Sequence, residues 1–352
     1  MGWLKKSVAI GACAAAACGA LACGSSSSPN ADASAKPNKG GALDGKLIWY
    51  VGVAESSEAD KGISQGVNAG VTANDGKFAY STGVNSTTGA FSLANQVLGF
   101  KRAIAAKPDA IIYFALGPEA MKAQVAQARA ANIPVFAIYG KPAPGVKING
   151  WVDNDNQAQG KVLADALASK LPNGAKVTVI AGISGAALAQ QEIDGALAEF
   201  KAKGLDFVGS VAQQHNEQGN AAGGQSVMRA ILAKYPDVQG VLAYNDESVT
   251  GAIAAAKSAG ADKKITFVSR NGSNAGADLV KQGALAATCD VFPVEIGQIA
   301  AQAAADQLLG RKNYDNAAAI PPPTTNCLVD ASNVDAYKKW DQRVPFVKFK
   351  AR

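Results

Sequence analysis

Histidine is nearly missing: His215 stands alone in 352 residues. A Ser-His-Asp triad would rest on that single residue, which lies in the polar run QQHNEQGN with no cysteine or second histidine at metal-ligand spacing. No serine sits in a G-x-S-x-G elbow. Neither G-x-G-x-x-G nor a Walker lysine occurs; the nearest approach is GISGAALAQ at 182–190, a turn of small residues after a strand. Charge is sparse as well. Charged residues make up 18% of the chain, and Lys5 and Lys6 supply two of the net +6. The remainder is scattered without a basic cluster, which excludes nucleic acid as a partner. These gaps leave no catalytic or metal-binding constellation and imply no cofactor. With 48% hydrophobic residues, the chain is long enough for two domains or one long α/β domain.

Cysteine is also thin outside one place. Three of five lie in the first 23 residues, where MGWLKK forms a positive start and SVAIGACAAAACGALA a short apolar core. That core is short for a membrane span and reads as an export signal over 1–22. ALAC followed by GSSSSPN resembles the bacterial lipoprotein signal, in which the cysteine, here Cys23, is lipidated and becomes the mature N-terminus. Ala20 departs from that pattern, which prefers Leu; an ordinary secretory signal with an incidental cysteine is the other reading. Residues 23–45, rich in Ser, Pro, Gly, Ala and Asn, have little to bury and are expected to be a disordered tether. Cys289 and Cys327 remain. In an exported chain two such cysteines invite a disulfide, the alternative being two unrelated buried thiols.

From Lys46 onward, apolar runs alternate with amphipathic segments. The pattern predicts strands at 46–53, 77–82, 110–115 and 134–138, then at 176–181, 206–211, 239–244 and 264–269. Helices are expected at about 58–74, 89–106, 118–131, 156–170, 188–203, 219–234, 247–259 and 293–309, the last opening on Pro293. Near-continuous apolar strands separated by helices indicate parallel sheets covered on both faces. The polar stretch 149–156 divides two such series, so the expected fold is α/β, with two doubly wound lobes joined by a multi-strand hinge. The expected lobes are 46–153 plus 292–323 and 154–291 plus 324–345. Consecutive prolines in AIPPPTTNCLVD rule out helix there.

Ligands of open α/β sheets bind outside the carboxyl ends of the strands. Polar clusters recur at those ends. Glu55, Ser56, Ser57 and Glu58 follow the first strand, and Tyr139 and Gly140 follow 134–138. Asn154, Asp155 and Asn156 follow the inter-lobe break; YNDES, RNGSN and CDVF follow later strands. Any one cluster is accounted for by helix capping. Six on the same sheet edge converge on one cleft.

Four segments carry a resemblance: ANIPVFAIYG (131–140), DNDNQAQGKVLADAL (153–167), PDVQGVLAYNDESVTGAIAAAKSAG (236–260) and GALAATCDVFPVEIGQIAA (283–301). From about Lys46 to Asp335 the chain resembles the type I periplasmic sugar-binding proteins, the ribose-binding branch in particular. The resemblance implies a two-lobed flytrap with three crossings, near 152–154, 290–292 and 322–325, that feeds an ABC importer. It brings the segments of Cys289 and Cys327 together at the hinge. It assigns Asn245 to a ligand hydroxyl, with Asp246 and Glu247 serving the helix start and its dipole. It also places Asn154, Asp155, Asn156 and Asn271 at the ligand and a ligand-binding arginine near Gln190. Departures accompany it. Tyr139 and Gly140 replace Asp-Arg, Arg270 replaces an aromatic residue, Asn271 replaces an aspartate, and ESSEAD lacks two expected rings. Glu55, Asp155 and Asp290 are the candidate substitutes among carboxylates, and Trp49, Tyr139 and Trp151 among rings.

The expected function is an extracytoplasmic solute-binding lipoprotein. It would be a monomer, lipid-anchored at the outer face of the cytoplasmic membrane or periplasmic, that binds a small polar, sugar-like ligand and delivers it to an ABC permease. The alternatives are a lipoprotein sensor that passes ligand occupancy to a membrane signalling protein and, more remotely, an exported hydrolase or isomerase using His215.

Overall fold

The structure is a computed structural model that describes residues 43–54, 57–83, 92–314, 318–322 and 326–345. The expected signal, tether and Cys23, together with Glu55 and Ser56, lie outside the described residues. Among those described, no helix is long and apolar enough to cross a membrane.

The apolar runs form the centres of two six-stranded sheets. The first holds β1 (Leu47–Val51), β2 (Lys77–Ser81), β3 (Ala110–Phe114), β4 (Val135–Ile138) and β5 (Gly150–Val152). The second holds β6 (Lys176–Ile180), β7 (Asp206–Phe207), β8 (Gly240–Ala243), β9 (Thr266–Asn271) and β10 (Ala287–Asp290). The chain then returns β11 (Ala318–Ile320) to the first sheet and β12 (Leu328–Asp330) to the second. The resulting orders are β11-β5-β4-β3-β1-β2 and β12-β10-β9-β8-β6-β7. All pairings are parallel except β12 on β10. Both orders reverse beside the first strand of the set, so each sheet has a switch point at the carboxyl ends of its central strands.

Helices cover both faces of each sheet because their starts carry the chemistry that frees them from the strands. They are α1 (Glu58–Thr72), α2 (Leu93–Ala105), α3 (Pro118–Ala130), α4 (Asn156–Ala168), α5 (Ala187–Ala202), α6 (Ala221–Lys234), α7 (Asp246–Ser258), α8 (Asn274–Lys281), α9 (Pro293–Leu308) and α10 (Trp340–Arg343). Ser57, Ser92, Asp155, Asn220, Asn245 and Ser273 each accept an amide N–H as N-caps. Three helix pairs cross on glycine. On α4 and α5, a Cβ at Gly160 would lie 1.9 Å from Glu192 O and one at Gly195 2.1 Å from Gln157 O, so the backbones touch. Gly66 with Gly297 joins α1 to α9 in the same way, and Gly224 with Gly251 joins α6 to α7.

Three elements depart from the sequence expectation. The stretch 149–156 contains a strand, β5, because Asn149 Oδ1 accepts from Val135 N and aligns that segment along β4. The predicted strand 206–211 stops after two residues, since Gly209 turns away at φ +100° and a short 3-10 turn follows at Val211–Gln213. Helix α8 was not foreseen; it spans eight residues with few apolar positions, starts on the Ser273 cap and ends before Gly283 at φ +70°.

Cys289 of β10 and Cys327, just before β12, are joined by a disulfide, with Cα atoms 4.8 Å apart, both buried in the second lobe's core. A bridge that closes a loop of 38 residues stabilises by about 4 kcal/mol in the chain-entropy account. Replacing Cys289 and Cys327 together by serine should lower the unfolding free energy by roughly that amount in urea titration. A double variant with an unchanged midpoint would show the bridge contributes nothing.

Candidate functional site

The carboxyl ends of the two sheets face one another across a cavity of about 660 Å³. Its first-lobe wall consists of Val53, Ala54, Ser57 and Ala59 after β1, Phe114 and Leu116 after β3, and Tyr139 after β4. Its second-lobe wall is more polar: Tyr244, Asn245 and Glu247 after β8, Arg270 and Asn271 at the end of β9, and 217–220 before α6. Ile183 and Leu188 close one side, and Val291, between β10 and α9, closes the bottom.

The first-lobe wall is held by a carboxylate the sequence reading did not single out. Asp60 accepts from Tyr50 Oη (2.5 Å), Tyr80 Oη (2.9 Å) and the N–H groups of Val53 (3.1 Å) and Ala54 (3.0 Å). Burial pushes its pKa up to about 6 against the pull of those four donors. Tyr139 adopts φ +52° and donates to Val291 O at 2.5 Å, while its ring lies against Phe114 with centroids 5.2 Å apart. That bond crosses from the first lobe to the chain segment joining the two.

On the second lobe the NDE turn divides differently from the expectation. Asn245 lines the cavity, yet it is also the N-cap of α7: Oδ1 accepts from Ser248 N (2.8 Å) and Nδ2 donates to Gly219 O (2.9 Å). Asp246 faces inward, fully buried, accepting from Ser269 Oγ, Thr288 Oγ1 (2.8 Å) and Ser273 N (2.8 Å). Burial raises it to about 6 despite these donors. Glu247 is the α7 carboxylate on the cavity. It accepts from Asn271 Nδ2 (3.1 Å). Burial, reinforced by the Asp246 charge, lifts it to about 7. The assignment of Glu247 to the helix dipole alone is thereby corrected: the first turn of α7 starts at the cavity wall, so its second residue faces the cavity.

Arg270, 3% exposed, is wired to both nearby crossings. Its Nε donates to Gln159 Oε1 (3.2 Å) and its Nη2 to Asn156 Oδ1 (3.1 Å). Asn156 Nδ2 reaches the Asp153 carboxylate (3.3 Å), and Gln159 Nε2 reaches Asp290 O (3.3 Å). Glu192 lies 3.7 Å from Arg270 Nε, with neither carboxylate oxygen hydrogen-bonded. Burial pushes Glu192 up to about 8 and Asp153 to about 6, with the arginine opposing both.

Of the residues expected at the ligand, Ser57, Tyr139, Asn245, Arg270 and Asn271 meet at the cavity. Others do not. Asp155 is exposed and caps α4 through Ala158 N (2.9 Å), and Gln190 is exposed and bonds Asp194 (2.8 Å). Asn154 and Asn156 are buried behind the wall, the first donating to Val291 O (3.0 Å). Asp290 does not line the cavity: its oxygens accept from Phe292 N (2.7 Å), Trp340 Nε1 (3.1 Å), Tyr337 Oη (2.8 Å) and Arg343 Nη2. Trp49 is core, bonded to Ser81 Oγ (3.0 Å), and Trp151 lies under Lys141. His215 sits away from the cavity, its Nδ1 2.5 Å from Gly182 O. Phe114 and Tyr244, which do line it, end the apolar runs AIIYF and VLAY; the strand-end rule reaches both when applied to aromatic as well as polar residues. Segment 217–220 follows no long strand and carries no such signal. Among the described residues no cluster of His, Cys, Asp or Glu has metal-holding geometry.

Two outcomes follow. Asn245→Ala removes a cap and leaves Gly219 O and Ser248 N unpaired, so the chain should lose about 1–2 kcal/mol in thermal melting. An unchanged midpoint would show that the cap is dispensable. Second, Asp60, Asp153, Asp246, Glu247 and Glu192 all hold protons more tightly folded than unfolded, where carboxyls titrate near about 4. Their contribution to stability is therefore fully present below about pH 4 and is lost as pH rises through about 6 to 8. The melting midpoint should be higher near pH 5 than near pH 8, and the opposite order would contradict these assignments.

Similarity to known proteins agrees with this architecture. The ribose import binding protein of Bacillus subtilis is 31% identical over 206 residues, covering 58% of this chain and 64% of that protein. Its Escherichia coli K12 counterpart is 32% identical over 188 residues, covering 53% and 62%. The chain thus spans less than two thirds of the length of these relatives. A solute binding protein of an ABC transporter from Actinobacillus succinogenes 130z, solved with D-allose, superposes with a TM-score of 0.73 at 24% identity, covering 83% of this chain and 100% of that one. Its likeness is one of fold. Residues 56–312 match the periplasmic binding protein domain, and the chain belongs to that family of solute-binding, non-enzymatic proteins.

Proposed function

We propose that this chain is an extracytoplasmic solute-binding protein that captures a small polar, sugar-like molecule between its lobes and delivers it to an ABC importer. The observation that carries the reading is the cavity itself. It lies where the carboxyl ends of both sheets meet, and both lobes contribute side chains to its wall. A ligand there touches both lobes at once, so it binds the closed arrangement better than an open one and shifts the population towards closure. The lobes would be 46–153 plus 292–323 and 154–291 plus 324–345, moving about the crossings near 152–154 and 290–292; most of the third expected crossing, 322–325, lies outside the described residues. The relatives named for ribose import support a sugar-like ligand, and the match in family supports an extracytoplasmic location. Lipidation at Cys23 would hold the protein at the membrane as a monomer beside its permease.

The wall also argues about which sugars fit. Tyr139 stands where the ribose branch has a carboxylate and spends its hydroxyl on Val291 O, and Gly140 offers no side chain. Hydrogen bonding is concentrated on the second lobe, so the ligand presents its polar edge there and its C–H face to Phe114 and Tyr139.

A thermal-shift screen of pentoses, hexoses, furanosides and polyols should find stabilising compounds, ranked by concentration over dissociation constant. Small-angle scattering with a saturating hit should then show a smaller radius of gyration. A hit that stabilises the chain without compaction would contradict capture by closure.

A further inference from the structure

Glu247 stands on the cavity without a counter-charge. No ion pair involves it among the described residues, and its side-chain donor is the neutral Asn271 amide. The charges that act on it most are acidic: Asp246 beside it on α7 and Glu58 facing it from α1 across the cleft. Glu58 itself has a buried carboxylate oxygen, Oε2, with no hydrogen-bond partner. Closing the cleft therefore brings two like charges, one from each lobe, into a poorly solvated space, which opposes closure unless something cationic lies between them.

The remaining charges do not supply that cation. Arg270 is the one basic residue among the described lining residues; its Nε and Nη2 donate to Gln159 and Asn156, and it is not among the charges that act most on Glu247. Glu217, at the 217–220 edge of the cavity, is another acid and bonds Ser184. Three rings, Phe114, Tyr139 and Tyr244, line the same space, and aromatic faces attract ammonium groups.

We propose that the cavity's ligand is a monocation: a sugar-sized molecule whose protonated amine sits on the Glu247 carboxylate and whose uncharged body packs against Phe114, Tyr139 and Tyr244. This rests on the reading of the cleft as the capture site. The ammonium neutralises the repulsion between Glu58 and Glu247, so the same contact that recognises the ligand also favours the closed lobes. Because Glu247 is held near 7, amine binding also expels a proton from it at and below neutral pH.

The test uses matched probes on the full chain. D-glucamine, D-glucitol and D-gluconate place an ammonium, a hydroxyl and a carboxylate on the same polyol; benzylamine, benzyl alcohol and benzoate do so on a ring. Calorimetry across the acid-to-neutral range should show an amine binding tighter than its neutral and acidic counterparts. Its affinity should rise about tenfold per pH unit on the acid side and level off above about pH 7. Glu247→Gln should remove that pH dependence and weaken the amine at least about thirtyfold, with its melting midpoint recorded to confirm folding. The pH profile of the unaltered chain decides the matter even if that variant fails to fold. Tighter binding of a neutral or acidic probe, amine binding indifferent to pH, or binding of none of the six overturns the proposal. If a neutral or acidic probe binds and is weakened by Asn271→Ala, the cleft reading stands and only the charge inference falls. A probe indifferent to both Asn271→Ala and Glu247→Gln binds elsewhere and counts against the cleft itself.

Discussion

Three consecutive residues, Asp290 at the end of β10 and the Val291 and Phe292 that lead into α9, hold the molecule together. Val291 O accepts from Tyr139 Oη at the end of β4 and from Asn154 Nδ2 at the crossing after β5. Asp290 accepts from the backbone of Phe292 and from Tyr337, Trp340 and Arg343 of the returning tail, and Arg343 also pairs with Glu295 of α9. Phe292 takes a left-handed φ of +53°, which ends the strand direction and lets Pro293 begin α9 on the first lobe. These three residues thus join two sheets, one other crossing and the C-terminal segment. The groups are buried, so losing any partner leaves an unpaired polar atom rather than a solvated one. The disulfide at Cys289 sits directly against this junction and fixes β12 beside β10.

The cavity inherits its shape from that junction. Val291 and Tyr139 both line the cavity, and the bond from Tyr139 Oη to Val291 O anchors the tyrosine there. On the opposite side, Arg270 reaches the two crossings through one amide each: Asn156 to Asp153, and Gln159 to the carbonyl of Asp290. The polar half of the site and the connecting segments therefore share a hydrogen-bond network. A ligand that moves Arg270 or Glu247 acts on groups whose other bonds determine how the lobes meet, so recognition and closure share a set of side chains.

Much of the fold was legible in the sequence because parallel strands buried on both faces leave continuous apolar runs such as VLAY and AIIYF, and helix starts leave polar caps behind them. Where that contrast weakens, legibility weakens too. β5 is three residues inside a polar stretch, and α8 has a short apolar face, so neither left a periodic signature. At the site, the strand-end rule brought out Tyr139, Asn245, Arg270 and Asn271 without saying which atoms were already used. Besides capping α7, Asn245 donates to Gly219 O 26 residues away, and Asp290 faces the tail through Arg343 53 residues away; neither partner is a sequence neighbour. Glu247 was read as a helix-dipole residue because a carboxylate in a first turn is that by default, and only the opposing lobe makes it a cavity residue.

The central claim is that the ligand binds between the lobes against the polar second-lobe wall. A crystal structure of the chain with a stabilising compound tests it most directly. The account predicts ligand density enclosed by Tyr139 and Phe114 on one side and by Glu247, Asn271 and Arg270 on the other. Density on an outer face, with this cavity occupied only by water, would contradict it.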